Sequence, residues 1–269
     1  TGTGRFAWLR MRPMSLWESE ESNGAVSLGE LFSGLNKKVL GENKHTLQDI
    51  AHILCRGGWP ITLSQHPNDA LQTAYNYVDA IAESDISRVD NTLRNPMRVR
   101  RLLRSLGRLQ GTPASISTIY QDMLANDEQS LSEKTIASYI NALEKIFVIE
   151  DLQAWCTNLR SKTAIRTSDT RYFVDPSIAV AALGITPNKL LQDMNTFGLL
   201  FETMAIRDLR IYADAIDAKV YHYRDKDELE CDAIIERRDG TYGLVEIKIG
   251  GSVAIQEAQK SLDKLAKKI

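Results

Sequence analysis

Two short runs near the C-terminal end constrain this chain more than any other feature. Glu230-Cys231-Asp232-Ala233-Ile234-Ile235 and Tyr242-Gly243-Leu244-Val245-Glu246-Ile247-Lys248-Ile249 flank the tripeptide Arg238-Asp239-Gly240. Both runs are short and rich in β-branched residues, and a glycine-containing turn divides them, so they read as a hairpin. Alternation puts Glu230, Asp232 and Ile234 on one face of the first strand. On the second, Glu246 and Lys248 share a face while Val245, Ile247 and Ile249 take the other. Loop length decides whether the polar sets meet. A three-residue loop with Gly240 in the left-handed region pairs Arg237 with Thr241, which sets Asp232 opposite Glu246 and Glu230 opposite Lys248. A two-residue loop slips the register by one and sends Asp232 and Glu246 to opposite faces.

Two carboxylates directly across a ladder repel unless something positive lies between them. A divalent cation fills that role, and the chemistry it suits is phosphodiester hydrolysis. Asp232 and Glu246 are expected to hold Mg²⁺, a hard cation that prefers carboxylate oxygens and keeps several waters. Lys248 would orient the attacking water or neutralise developing charge. Glu202, on the helix before the hairpin, would hold a water or a second metal, with Glu230 as an auxiliary acid. The plain alternative is an exposed cross-strand salt-bridge ladder, worth little energetically.

The 269 residues suffice for two or three modest domains, and 43% hydrophobic with 25% charged residues is ordinary globular composition. A net charge of −2 excludes a histone-like or strongly basic chain, though not a local basic face. Cys55, Cys156 and Cys231 are odd in number and widely spaced, which argues against a disulfide framework or a zinc ribbon and fits a reducing cytoplasm. No apolar run approaches the length of a membrane helix, so no membrane partner is expected. His45, His52, His66 and His222 have no ligand spacing; His222 reads as a packed or edge residue.

The chain is helix-rich to about residue 148 and strand-rich afterwards. Arg5 to Met11 is strand-like, and Leu28 to Leu35 contains a short helix. Thr46 caps a helix that stops at Gly57-Gly58, and a second runs from about Ala70 to Ser84. Arg94, Arg98, Arg100, Arg101, Arg104 and Arg108 follow with no acid among them. They are either a solvated helix face or, through Arg98, Arg101 and Arg104, a surface for nucleic-acid phosphates. A helix at Ile116 to Leu124, a helix capped by Ser132, and strands at Phe147 to Cys156 and Arg171 to Val174 give the order of a winged helix. Its second helix offers Lys134 among other polar groups, for DNA or for protein contact. A long helix from about Asn195 to Tyr212 leads to strands at Lys219 to Tyr223, Leu229 to Glu236 and Tyr242 to Ile249, and a terminal helix covers Ala254 to Lys268.

Glu230-x-Asp232 followed by Glu246-Ile247-Lys248 resembles the core of the PD-(D/E)XK nuclease superfamily, with Phe197 to Glu202 in its first core helix. Arg12-Pro13-Met14-Ser15-Leu16, Gly57-Gly58-Trp59-Pro60, Glu83-Ser84-Asp85-Ile86, Tyr172-Phe173-Val174-Asp175-Pro176 and Tyr223-Arg224-Asp225 occur in this order. The series is similar to prokaryotic AAA+-type ATPases whose C-terminal region is the domain-of-unknown-function 4143 family, and the resemblance covers nearly the whole chain. It implies that ATP binds in a segment preceding Thr1, since no Gly-Lys dipeptide occurs here and no phosphate-binding loop of the usual kind can form. It also implies a homo-oligomer assembled through that ATPase.

The expected architecture is α/β and multi-domain: an ATPase tail (residues 1–40), a helical lid or linker (41–112), a winged-helix-like domain (113–185), and a restriction-endonuclease-like domain with a mixed sheet (186–269) that continues past the last residue. Two functions stay open at this point: a Mg²⁺-dependent nuclease domain, or a catalytically silent nuclease fold that binds DNA or protein and regulates the attached ATPase.

Overall fold

The computed structural model describes residues 3–34, 40–124, 132–156, 168–225 and 229–269. Helix starts are written locally. Ser27 caps α1 (Leu28–Phe32), and Thr46 and Asp49 form a reciprocal capping box on α2 (Leu47–Arg56). A 3₁₀ turn (Pro60–Ser64) leads to α3 (Pro67–Ala80), which continues through a π-helical turn (Ile81–Asp85) into α4 (Ile86–Arg88). Asn95 caps α5 (Pro96–Arg108). Next come α6 (Ile116–Leu124), α7 (Glu133–Lys145, capped by Ser132), β1 (Ile149–Leu152) and β2 (Thr170–Phe173). The chain then forms α8 (Pro176–Leu183), α9 (Pro187–Leu190), α10 (Met194–Asp214), β3 (Ala218–Arg224), β4 (Glu230–Arg237), β5 (Tyr242–Val245) and α11 (Ser252–Lys268).

The fold is mixed α/β with two small antiparallel sheets, β1-β2 and β3-β4-β5. The three strands of the larger sheet thus pair antiparallel, where a mixed sheet is expected from sequence. Consecutive strands joined by short turns must reverse direction, whereas a parallel pair needs a crossover. Among the described residues, the parallel pairing is an isolated bridge between Ala154 and His222. The strand expected over Phe147 to Cys156 begins late, because Phe147 leaves α7 at φ 58, a left-handed helix exit. Arg5 to Met11 forms no strand. Phe6, Trp8, Leu9 and Met11 stand exposed, and an extended segment without a ladder partner is not a strand.

One large core collects α2, α3, α5, α7 and α10 around α8, whose Ile178, Ala179 and Val180 are at most 1% exposed. The C-terminal sheet is covered on both faces. Ala233 and Ile235 pack with Ile206 and Ala213 of α10, while Cys231 and Ile234 pack with Leu265 of α11.

A buried polar knot explains much of the upstream sequence. Arg207 of α10 bridges Asp175 at 2.8 Å and Asp208 at 2.7 Å. Asp175 also accepts the Gly58 N–H, and Asp208 accepts the Leu16 N–H, both at 2.9 Å. Trp59 Nε1 donates to Ser177 at 2.9 Å, and Met14 N donates to the Gly58 carbonyl at 2.7 Å. Gly57 sits at φ 75, and a Cβ on Gly58 would collide with the Met14 carbonyl, so both positions need glycine.

Candidate active site

The turn residues set the site. Arg237 N donates to Thr241 O at 2.9 Å, Gly240 N returns to Arg237 O at 3.0 Å, and Gly240 lies at φ 84. The loop thus has three residues, and β4 pairs β5 as Glu236↔Tyr242, Ile235↔Gly243, Ile234↔Leu244 and Ala233↔Val245. One step further, this register brings Asp232 level with Glu246. The ladder ends there, earlier than the expected strand to Ile249, because the Asp232 carboxylate takes the Ile247 N–H at 2.6 Å.

Lys248 reaches across this end. Its Nζ lies 3.2 Å from Asp232 Oδ2 and 3.0 Å from Glu246 Oε1. Burial works against the ammonium charge, but the two carboxylates outweigh it and hold the Lys248 pKa above its ordinary value. Burial, then the neighbouring Asp232, pushes the Glu246 pKa up. Glu246 Oε2 is buried and has no hydrogen-bond partner.

β3 contributes an irregularity. Tyr221 pairs Ile234 but Tyr223 pairs Cys231, so Asp232 and Ala233 together oppose the single residue His222. A cleft of about 220 Å³ forms beside this bulge, lined by Asp232, Glu202, Tyr172, His222, Glu230 and Gly111 among others. Glu202 enters from α10. The Tyr172 hydroxyl on β2 donates to its Oε1 at 2.6 Å. Burial pushes the Glu202 pKa up to about 7; the Tyr172 hydrogen bond lowers it, and the Asp232 charge raises it further. Gly111, at φ 66, brings its backbone so close that a Cβ would lie 3.1 Å from Glu202 Oε1.

The structure therefore brings together Asp232, Glu246, Lys248 and Glu202. Glu230 stands at the cleft mouth, exposed and paired with Arg224 at 3.0 Å rather than with Lys248. Arg98, Arg101 and Arg104 on α5 and Lys134 on α7 do not line the cleft. Sequence reasoning missed Tyr172 and Gly111 as members of the site. It read His222 as a packed or edge residue in a strand near the site, with no part in it. His222 is 7% exposed and lines the cleft wall; burial depresses its pKa, and Nε2 has no partner. The signal for Tyr172 was its place in the Tyr172-Phe173-Val174-Asp175-Pro176 segment, which says nothing about what its hydroxyl meets.

Fold and cleft define a class: a mixed α/β protein whose acid-lined cleft lies where a helix-rich region meets a C-terminal antiparallel sheet, with Lys248 and Glu246 joined to its wall through Asp232. The chain belongs to the family described as Domain of unknown function (DUF8612), which matches residues 47–189. Residues 197–269 match Domain of unknown function (DUF4143), a C-terminal partner of AAA-type ATPases. No curated protein and no solved structure matches the chain. No helix among the described residues is long and apolar enough to cross a membrane.

Proposed function

We propose that this chain is the C-terminal part of an ATPase-associated protein, and that its cleft is a PD-(D/E)XK-type site for metal-dependent hydrolysis of nucleic-acid phosphodiesters. The observation that carries this reading is the meeting of Asp232, Glu246 and Lys248 at one end of a hairpin, with Glu202 in the same cleft region. A bound Mg²⁺ supplies a water of lowered pKa and offsets charge on the phosphate. Asp232 and Glu246 would hold it, and the unpartnered Glu246 Oε2 is a donor of the right hardness. Among the described residues no group of three or more His, Cys, Asp or Glu is placed to enclose an ion. Two carboxylates suit a cation that keeps most of its waters.

Lys248, held charged by its two acids, offers its ammonium to a phosphate oxygen. Glu202, with a pKa of about 7, exchanges a proton near neutrality and can deliver it to the departing oxygen, while Tyr172 fixes its orientation. The sequence of α6, α7, β1 and β2 supports a winged-helix reading, and β3, β4, β5 with α10 supports an endonuclease-like one. Arg98, Arg101, Arg104 and Lys134 would then contact the nucleic-acid backbone away from the cleft.

A second reading has its own observation. Lys248 already neutralises Asp232 and Glu246, which is what a catalytically silent fold needs for stability. Calorimetric titration with Mg²⁺ and Mn²⁺ separates the two, using wild type, Asp232→Ala and Glu246→Ala. The nuclease reading expects binding that each substitution abolishes, followed by cleavage of DNA or RNA. A folded wild type that neither binds Mn²⁺ nor cuts in its presence leaves the silent module.

A further inference from the structure

Tyr172 and Glu202 are 30 residues apart and sit on different elements, and a row of contacts continues from them to the N-terminal segment. Glu150 is the direct cross-strand partner of Tyr172 in the β1-β2 ladder. Arg210 lies eight residues beyond Glu202 on α10, a spacing that returns to the same helix face. Its guanidinium stands 6.0 Å from the centroid of the Tyr172 ring and 3.1 Å from Glu150 Oε2. Two further guanidiniums reach the same carboxylate from the N-terminal segment. Arg10 is at 2.7 Å, and Arg12 engages both Glu150 oxygens.

We infer that Tyr172 is a positioning residue for Glu202, and that Arg10 and Arg12 govern that positioning through Glu150 and Arg210. The inference rests on the reading of Glu202 as part of a functional cleft. A cation over a phenol ring strengthens its hydroxyl as a donor, so Arg210 tightens the bond that holds Glu202. Arg210 is buried and depends on Glu150 for a counter-charge. Glu150 has two oxygens to divide among three arginines. With Arg10 and Arg12 in place, Arg210 shares the carboxylate and remains near the ring. With them withdrawn, Glu150 has Arg210 alone and draws it away from Tyr172. The N-terminal segment thereby gains a physical route to the cleft, and a movement of that segment changes the orientation of Glu202.

A double-mutant cycle of Arg12→Gln and Tyr172→Phe on the full chain tests this. The readouts are Mn²⁺ affinity by calorimetry and the ¹³Cζ resonance of Tyr172 in tyrosine-labelled protein. We expect each single variant to weaken Mn²⁺ by about tenfold, and the double variant to be no weaker than Tyr172→Phe alone. Arg12→Gln should also shift the Tyr172 resonance in protein that stays folded by circular dichroism, an effect that loss of mere packing would not give. Additive losses, or an unmoved Tyr172 resonance in folded Arg12→Gln, overturn the inference. Should Arg12→Gln unfold, Arg10→Gln replaces it, since Arg10 is half-exposed. Should wild type bind no Mn²⁺, the metal reading fails by itself, and the resonance shift alone decides whether the N-terminal segment reaches Tyr172.

Discussion

Glu202 shows how one side chain acquires a property that its residue type lacks. Burial penalises its charge, Asp232 and Glu246 add repulsion, and Tyr172 and Lys248 return only part of the loss, leaving a pKa of about 7 against an ordinary 4.5. The sign follows by linkage. Between those two values the folded chain keeps a proton that the unfolded chain has released, so stability falls as pH rises through that window. Glu202→Gln removes the dependence and keeps an acceptor for Tyr172. In metal-free urea unfolding, the variant should gain about 1–3 kcal/mol over wild type at pH 8 and little or nothing at pH 4.5. An equal gain at both values would place the effect outside Glu202 ionisation. The candidate carboxylates Asp232 and Glu246 were legible from alternation and turn chemistry. The elevated Glu202 was not, because its shift comes from groups on β2, β4 and the segment after β5.

At the scale of elements, the β4-β5 hairpin carries the site and the loop carries the hairpin. Gly240 at φ 84 closes a three-residue turn, and Asp239 accepts the Thr241 N–H at 2.9 Å. Deleting Thr241 with the three-residue loop kept pairs Arg237 with Tyr242, sets Asp232 level with Ile247 and so moves the register by one. We expect the deletion variant to remain helical by circular dichroism while losing the Lys248 contacts to Asp232 and Glu246. Any Mn²⁺ binding should weaken by at least tenfold, a loss typical when a site's supporting geometry is removed. Amide contacts across the β4-β5 ladder, read by NMR, report the new pairing; an unchanged Ala233↔Val245 pair would refute the dependence of the register on the turn. Helix starts at Thr46 and Ser132 were equally legible, since a cap is a bond between neighbours. The bulge opposite His222 left no mark in the sequence, because alternation assumes an unbroken ladder.

At the scale of the molecule, α10 joins the parts. Its Arg207 anchors the polar knot, its Arg210 meets Glu150, and its Glu202 enters the cleft. Arg207→Met would leave Asp175 and Asp208 buried without their cation. The expected cost is about 3–5 kcal/mol, read as a lower urea midpoint with a similar slope. A loss below about 0.5 kcal/mol would show that the knot contributes little beyond its packing. The knot also gives a physical meaning to segments at Met14, Gly57, Trp59 and Asp175 that the sequence marks only by their order. By itself the sequence determined helix boundaries and the register of the C-terminal hairpin, because caps and three-residue turns are bonds made within a few residues. Only the tertiary structure decided that β3, β4 and β5 pair antiparallel, that Glu230 turns to Arg224, and that Tyr172 meets Glu202. These depend on which surfaces are buried together, and burial couples residues by distance in space, whatever their separation along the chain.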